Sequence, residues 1–457
     1  MDLLTSSLLC PLLIWLLLQA FNSIINGRKS SQQKLPPGPP RMPIIGNLID
    51  LGDKPHRSFT KLAQIHGPVM SLKLGSLITV VVSSETMAKE ILQKQDIVFS
   101  NLTMIDAIRA CQHHEVWLTW IPVSPLWRTL RKVCNTRIFA SMKVDTTQYL
   151  RRNKIQELIA NVGESCPKGE AINIGQAAFN TTINLLAQEF RKIVCDIMVE
   201  AGKPNLADYF PLLKKIGPKG VRHWMTVHFD KLLSLFSNVF DERWQSRQSQ
   251  DYTASNDVLD TLLDIIEGCN KTIVTNLLLL ASVRSPLRKA LLTSTCRKDH
   301  PFITAIASTI RIVAARTTRL NPCPNCPTVT PLPAGSNANL CGFKVLEGSQ
   351  VLVNVWAIGK DRSIWNNPNS FMPERSLGFE IDVKGRDFGL IPFGAGRRIW
   401  PGLPLANRML HLILGYLINC FDWNLEGGIP PNEMNMKEKY GIAVQMVEPL
   451  PAVLTLV

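Results

Sequence analysis

The sequence predicts a mainly helical protein with small β-sheets, preceded by one membrane-spanning helix. Three observations carry that expectation. Helical periodicity runs through most of residues 144–267. Strand character is confined to short runs, at 70–74, 77–82 and 350–356. Residues 3–26 contain no charged side chain at all. With 457 residues, 46% of them hydrophobic, the chain can bury a large core. Its 11 cysteines have irregular spacings and read as free, mostly buried thiols in a reducing compartment. The net charge of +14 suits an anionic membrane surface or an acidic partner protein. With no basic helix and no interleaved basic and aromatic stripe, nucleic acid is excluded as a partner.

About 20 apolar residues span a bilayer as one helix, and residues 8–18 are almost wholly apolar. Arg28, Lys29, Lys34 and Arg41 all follow this run, which leaves the body of the chain in the cytosol. Nothing basic precedes the run and no small-x-small site follows it, so a retained anchor is expected rather than a cleaved signal peptide. The prolines of Leu35-Pro-Pro-Gly-Pro-Pro40 then lock an extended spacer. The expected division is an anchor at 1–27, a basic, proline-rich hinge at 28–41 and a folded body at 42–457, atypical over 268–340.

Within the body, 70–74 and 77–82 read as a hairpin turning at Gly75-Ser76. Ser84 is placed to cap a helix that carries Met87, Ile91 and Leu92 on one face. Residues 100–123 read as loop, and their adjacent His113 and His114 lack a third metal ligand nearby. Ser124-Pro125 starts a helix that sets Trp127 and Arg131 on one face. The helical pattern breaks at 205–211. Cys323-Pro-Asn-Cys326 falls short of the four ligands a structural zinc needs and reads as a surface loop. A strand follows at 350–356, and Pro404 opens an apolar helix over 405–418.

The most specific stretch is Ile391-Pro-Phe-Gly-Ala-Gly-Arg-Arg-Ile-Trp-Pro-Gly-Leu-Pro-Leu-Ala406. With the proline segment, the Trp127-x-x-x-Arg131 helix and the Pro373-Glu-Arg375 motif, it resembles the cytochrome P-450 family. The likeness is to its plant microsomal members that hydroxylate monoterpenoid alcohols such as geraniol, and it covers residues 1–267 and 340–457. The resemblance implies the cytochrome P-450 fold and a haem-dependent monooxygenase at the endoplasmic reticulum membrane. Its partners would be an NADPH-cytochrome P-450 reductase and a small hydrophobic substrate. It also implies cofactor-binding roles for Trp127, Arg131, Phe393, Gly396, Arg398 and Gly402. The two arginines would pair with haem propionates, and Phe393 would pack on the macrocycle. The glycines, Gly394 among them, would let backbone approach a flat cofactor.

The family's axial ligand is a cysteine thiolate, and at that position this chain has Trp400. An indole N–H is a donor only, with no lone pair to offer iron. Residues 268–346 hold ten basic residues against the single acid Asp299, with no glutamate. Neither the family's distal acid-and-threonine motif nor its Glu-x-x-Arg helix is found there, so no catalytic residue is identifiable and Arg375 loses its expected partner. The block resembles a frame-shifted or mis-spliced segment. Beside the monooxygenase reading stand a catalytically inactive remnant lacking thiolate-ligated haem and, third, a basic membrane-tethered interaction protein.

Overall fold

The computed structural model describes residues 35–115, 118–173, 188–202, 205–214, 220–249, 332–369 and 382–428, with short pieces within 175–181, 252–264 and 435–456. The expected anchor, Trp117, the Cys323–Cys326 pair, Arg375 and most of 268–340 lie outside the described residues, as do the side chains of His113 and His114. Among the described residues, no helix is long and apolar enough to cross a membrane.

In chain order the helices are α1 (Pro55–His66), α2 (Glu85–Lys89), α3 (Pro125–Val133), α4 (Ser141–Thr146), α5 (Gln148–Ser165), α6 (Gln188–Ala201), α7 (Leu206–Tyr209), α8 (Val221–Arg247), α9 (Val355–Ile358) and α10 (Leu403–Cys420). The strands are β1 (Val69–Leu74), β2 (Leu77–Val82), β3 (Ile172–Asn173), β4 (Leu332–Pro333), β5 (Ala338–Leu340), β6 (Phe343–Val345), β7 (Gln350–Val353), β8 (Phe421–Leu425), β9 (Glu438–Lys439), β10 (Gln445–Met446) and β11 (Pro451–Leu456). Helices with small sheets are what the periodicity predicts.

The predicted hairpin forms in register, Val69 opposite Val82 and Leu74 opposite Leu77, around Gly75 at φ 59. β2 continues in parallel to β7, and β7 pairs with β4, giving the order β1-β2-β7-β4. Alternation of the kind seen in 70–74 ordinarily marks a half-buried strand. Instead both faces are covered: Val80, Val82, Val351 and Val353 join Ile91, Phe388 and Ile391, while Met70, Leu72, Val81 and Leu352 meet Leu51 and Phe59. Ser71 is buried because the proline segment lies along it, its N–H donating to the Pro37 carbonyl at 2.8 Å and its hydroxyl to that of Pro36 at 2.7 Å. The expected spacer is therefore docked on β1 at this point.

Other expectations are corrected in detail. Asp106–Glu115 forms a 3-10 helix inside the expected loop. The helical stretch is interrupted by β3, and its break contains α7, capped by the Asn205 side chain. The strand at 350–356 ends at Val353, because the Asn354 side chain accepts the Ala357 N–H and starts α9. Leu332–Pro333, in a stretch without periodicity, joins the sheet as β4. The described cysteines, Cys134, Cys166, Cys341 and Cys420, are free; only Cys134 is fully buried, and Cys341 is exposed.

α10 follows directly on the 391–402 loop. Ala406, Met409, Ile413 and Leu417 line one face of it and pack with Ile155, Leu158 and Val162 of α5. Full burial of each larger side chain contributes about 1.5–3 kcal/mol.

Candidate functional site

The loop at 391–402 is pinned from three sides. Ile391 and Ala395 point into the sheet core, whereas Phe393 is buried with the α5–α10 cluster. Gly396 has φ 67, and a Cβ there would stand 1.8 Å from the carbonyl oxygen of Leu92. Glycine at 396 thus serves the approach of loop to backbone in the turn that continues α2, a reason different from the flat-cofactor argument. Gly394 also has positive φ, 71, yet a Cβ there would meet nothing within 4 Å among the described residues. Gly402 has φ −80 and leads into α10, so its conformation is open to any residue.

Beside this loop α3 begins as predicted, with Ser124 Oγ accepting the Trp127 N–H at 3.2 Å and Pro125 in the first turn. The buried Trp127 spends its indole N–H on the Leu118 carbonyl at 3.1 Å. The Arg398 guanidinium lies 5.3 Å from the centre of the Trp127 ring, a cation–π distance. Arg398 donates to three carbonyls: Ser100, Thr119 at 2.8 Å and Ile121 at 2.7 Å. Arg131 donates to the carbonyl of Ile399, in the loop itself. Trp127 and Arg131 of α3 therefore meet Arg398, far later in the chain, at one place.

The electrostatics of this place are one-sided. Among the described residues, neither Arg131 nor Arg398 meets a carboxylate; every hydrogen-bond partner is a neutral backbone carbonyl. Burial, and then the neighbouring Arg131, lower the Arg398 guanidinium to about 10. Burial also lowers Arg131. Two half-buried like charges stand side by side here, an arrangement that an anion between them would offset.

Trp400 donates its backbone N–H to the Phe393 carbonyl at 3.1 Å, and its ring packs against the α5–α10 cluster. The chemistry at this corner is that of a packing residue. Cys134 follows α3 within a separate cluster, one that Leu405 touches. Burial pushes its thiol up to about 12, only partly offset by Arg131, so it stays protonated near neutrality. It supplies no thiolate in place of residue 400.

The carbonyls of Ser100, Thr119, Ile121 and Ile399 were not visible from the sequence, since a backbone acceptor carries no residue signature. Arg397 adds an ion pair with Asp96 at 3.0 Å that ties the loop to the segment after α2.

The chain matches the family model for cytochrome P450 over residues 36–280 and 327–450. It is 43% identical over 466 residues to geraniol 8-hydroxylase of Catharanthus roseus, covering 92% of this chain and 94% of that protein. It is 42% identical to geraniol 8-hydroxylase of Swertia mussotii over 96% of each chain. It is equally similar, at 42% over 94% of each chain, to drimenol monooxygenase of Persicaria hydropiper. The chain belongs to the cytochrome P450 family, and by family it is a monooxygenase. The matched stretches run past residue 267 to 280 and resume at 327 rather than 340.

Proposed function

We propose that this chain is built as a microsomal monooxygenase of monoterpenoid alcohols such as geraniol, anchored in the endoplasmic reticulum by residues 1–27 and served by an NADPH-cytochrome P-450 reductase. One observation carries the cofactor part of the reading: two half-buried guanidiniums, Arg131 and Arg398, meet only backbone carbonyls among the described residues. A haem carboxylate fits there, as a planar guanidinium pairs with it through two parallel N–H donors. Trp127 acts behind Arg398, holding it by its ring. The substrate class is supported by the two geraniol 8-hydroxylases among the relatives.

The iron end of haem does not fit. Residue 400 is an indole with no lone pair to give, and the buried thiol of Cys134 stays protonated. No catalytic step follows from this donor set. Trp400 favours a second reading, in which the sequence as written keeps the haem-carboxylate cradle but is catalytically silent. Haemin titration of the detergent-solubilised chain, followed by geraniol turnover with a plant reductase, separates the two. Haemin binding without turnover supports the silent reading, and turnover contradicts it. Failure to bind haemin removes both the cradle and the enzyme.

A further inference from the structure

Residues 100–110 and 118–123 are the two arms of a strap whose base is the Arg398 cradle. Ser100 on one arm, and Thr119 and Ile121 on the other, each give a carbonyl to that guanidinium. Asn101 closes the base by accepting the Val123 N–H at 3.1 Å. Farther out, Ala107, Ile108 and Ala110 of one arm and Trp120 of the other are buried in one cluster with Ile193 and Ile197 of α6 and Met225 and Phe229 of α8. That cluster contains no residue of the 391–402 loop.

The joint between strap and helices is Asp106, 1% exposed. Its Oδ1 accepts from Arg222 at the start of α8, through Nε at 2.9 Å and through Nη2. Its own N–H donates to Asp208 Oδ1 of α7 at 2.6 Å. A buried carboxylate is kept only where it is paired, and here the pair joins segments 116 residues apart. Asp106 lies six residues from Ser100, with no described break between them.

We propose that Asp106 is a positioning residue which, through Arg222, sets the strap carbonyls that aim Arg398, and so couples the α6–α8 layer to the carboxylate end of haem. The inference rests on the reading that Arg398 receives a haem carboxylate. It adds that the aim of that guanidinium is fixed from α8.

The test uses the full chain in detergent, titrated with haemin and with haemin dimethyl ester, whose carboxylates are blocked. The wild type should prefer haemin by about tenfold. Asp106→Asn should reduce that preference by about fivefold or more, leaving ester affinity unchanged. Arg222→Lys, which keeps the charge but loses the two-pronged reach, should fall between them. An unchanged preference in Asp106→Asn overturns the coupling while leaving the Arg398 reading intact. A parallel loss of both affinities marks a merely structural role and also overturns it. If Asp106→Asn does not fold, Arg222→Lys decides by the same criterion. A wild type that binds both probes equally, or binds neither, refutes the Arg398 reading itself and takes this inference with it.

Discussion

Replacing Gly396 by alanine tests whether the loop is built against α2 or against a cofactor. Gly396 and Gly394 have nearly the same backbone, φ 67 and 71, but different surroundings. At either site alanine meets the left-handed penalty of about 1–2 kcal/mol. At 396 the new Cβ would also fall 1.8 Å from the Leu92 carbonyl oxygen, a backbone atom that can yield only by moving the turn. Forced overpacking of this kind adds about 1–3 kcal/mol. Gly396→Ala should therefore destabilise the chain by about 2–5 kcal/mol, and Gly394→Ala by only the first part. Urea unfolding of both variants, followed by tryptophan fluorescence without haemin, measures the difference. Equal costs, within about 0.5 kcal/mol, would refute the assignment of Gly396 to the Leu92 contact.

Trp127→Phe keeps a ring near Arg398 but leaves the buried Leu118 carbonyl without its donor, so stability should drop by about 1–3 kcal/mol in the same urea assay. Glu85 is raised above its ordinary 4.5, first by burial and then by Asp387. Its neutral form is favoured by folding, so its contribution is full below pH 4.5 and is lost as pH rises through the raised value. Glu85→Gln should therefore be more stable than wild type at neutral pH and lose that advantage in acid, read from thermal melts across pH; an advantage confined to acid would reverse the sign. In the folded chain iodoacetamide should label the exposed Cys341 well before Cys134, whose thiol is buried and pushed up to about 12. Mass spectrometry of partially labelled protein reads that order.

The local grammar of the fold was open to sequence reading. Ser124-Pro125, the turn at Gly75 and the one-sided stripe of α10 each act within a few residues, where capping, φ preference and periodicity operate. The reading failed where a distant segment intervened. The proline segment read as a spacer, yet it docks on Ser71 of β1, and the strand at β7 looked longer until Asn354 redirected its end. At the site, Trp127, Arg131 and Arg398 were named from their places in the motifs that carry the family resemblance. Their acceptors were not, because any residue at 100, 119, 121 or 399 offers the same carbonyl. Asp106 was passed over for a related reason, since nothing near it in sequence hints at Arg222.

The central claim is that the carboxylate end of the haem site is intact while residue 400 provides no thiolate. The reduced, carbon monoxide-bound absorbance spectrum of the haemin-loaded chain tests it most directly, with Trp400→Cys alongside. The wild type should show no thiolate-type Soret band, and Trp400→Cys should show one. A thiolate-type band in the wild type would contradict the claim.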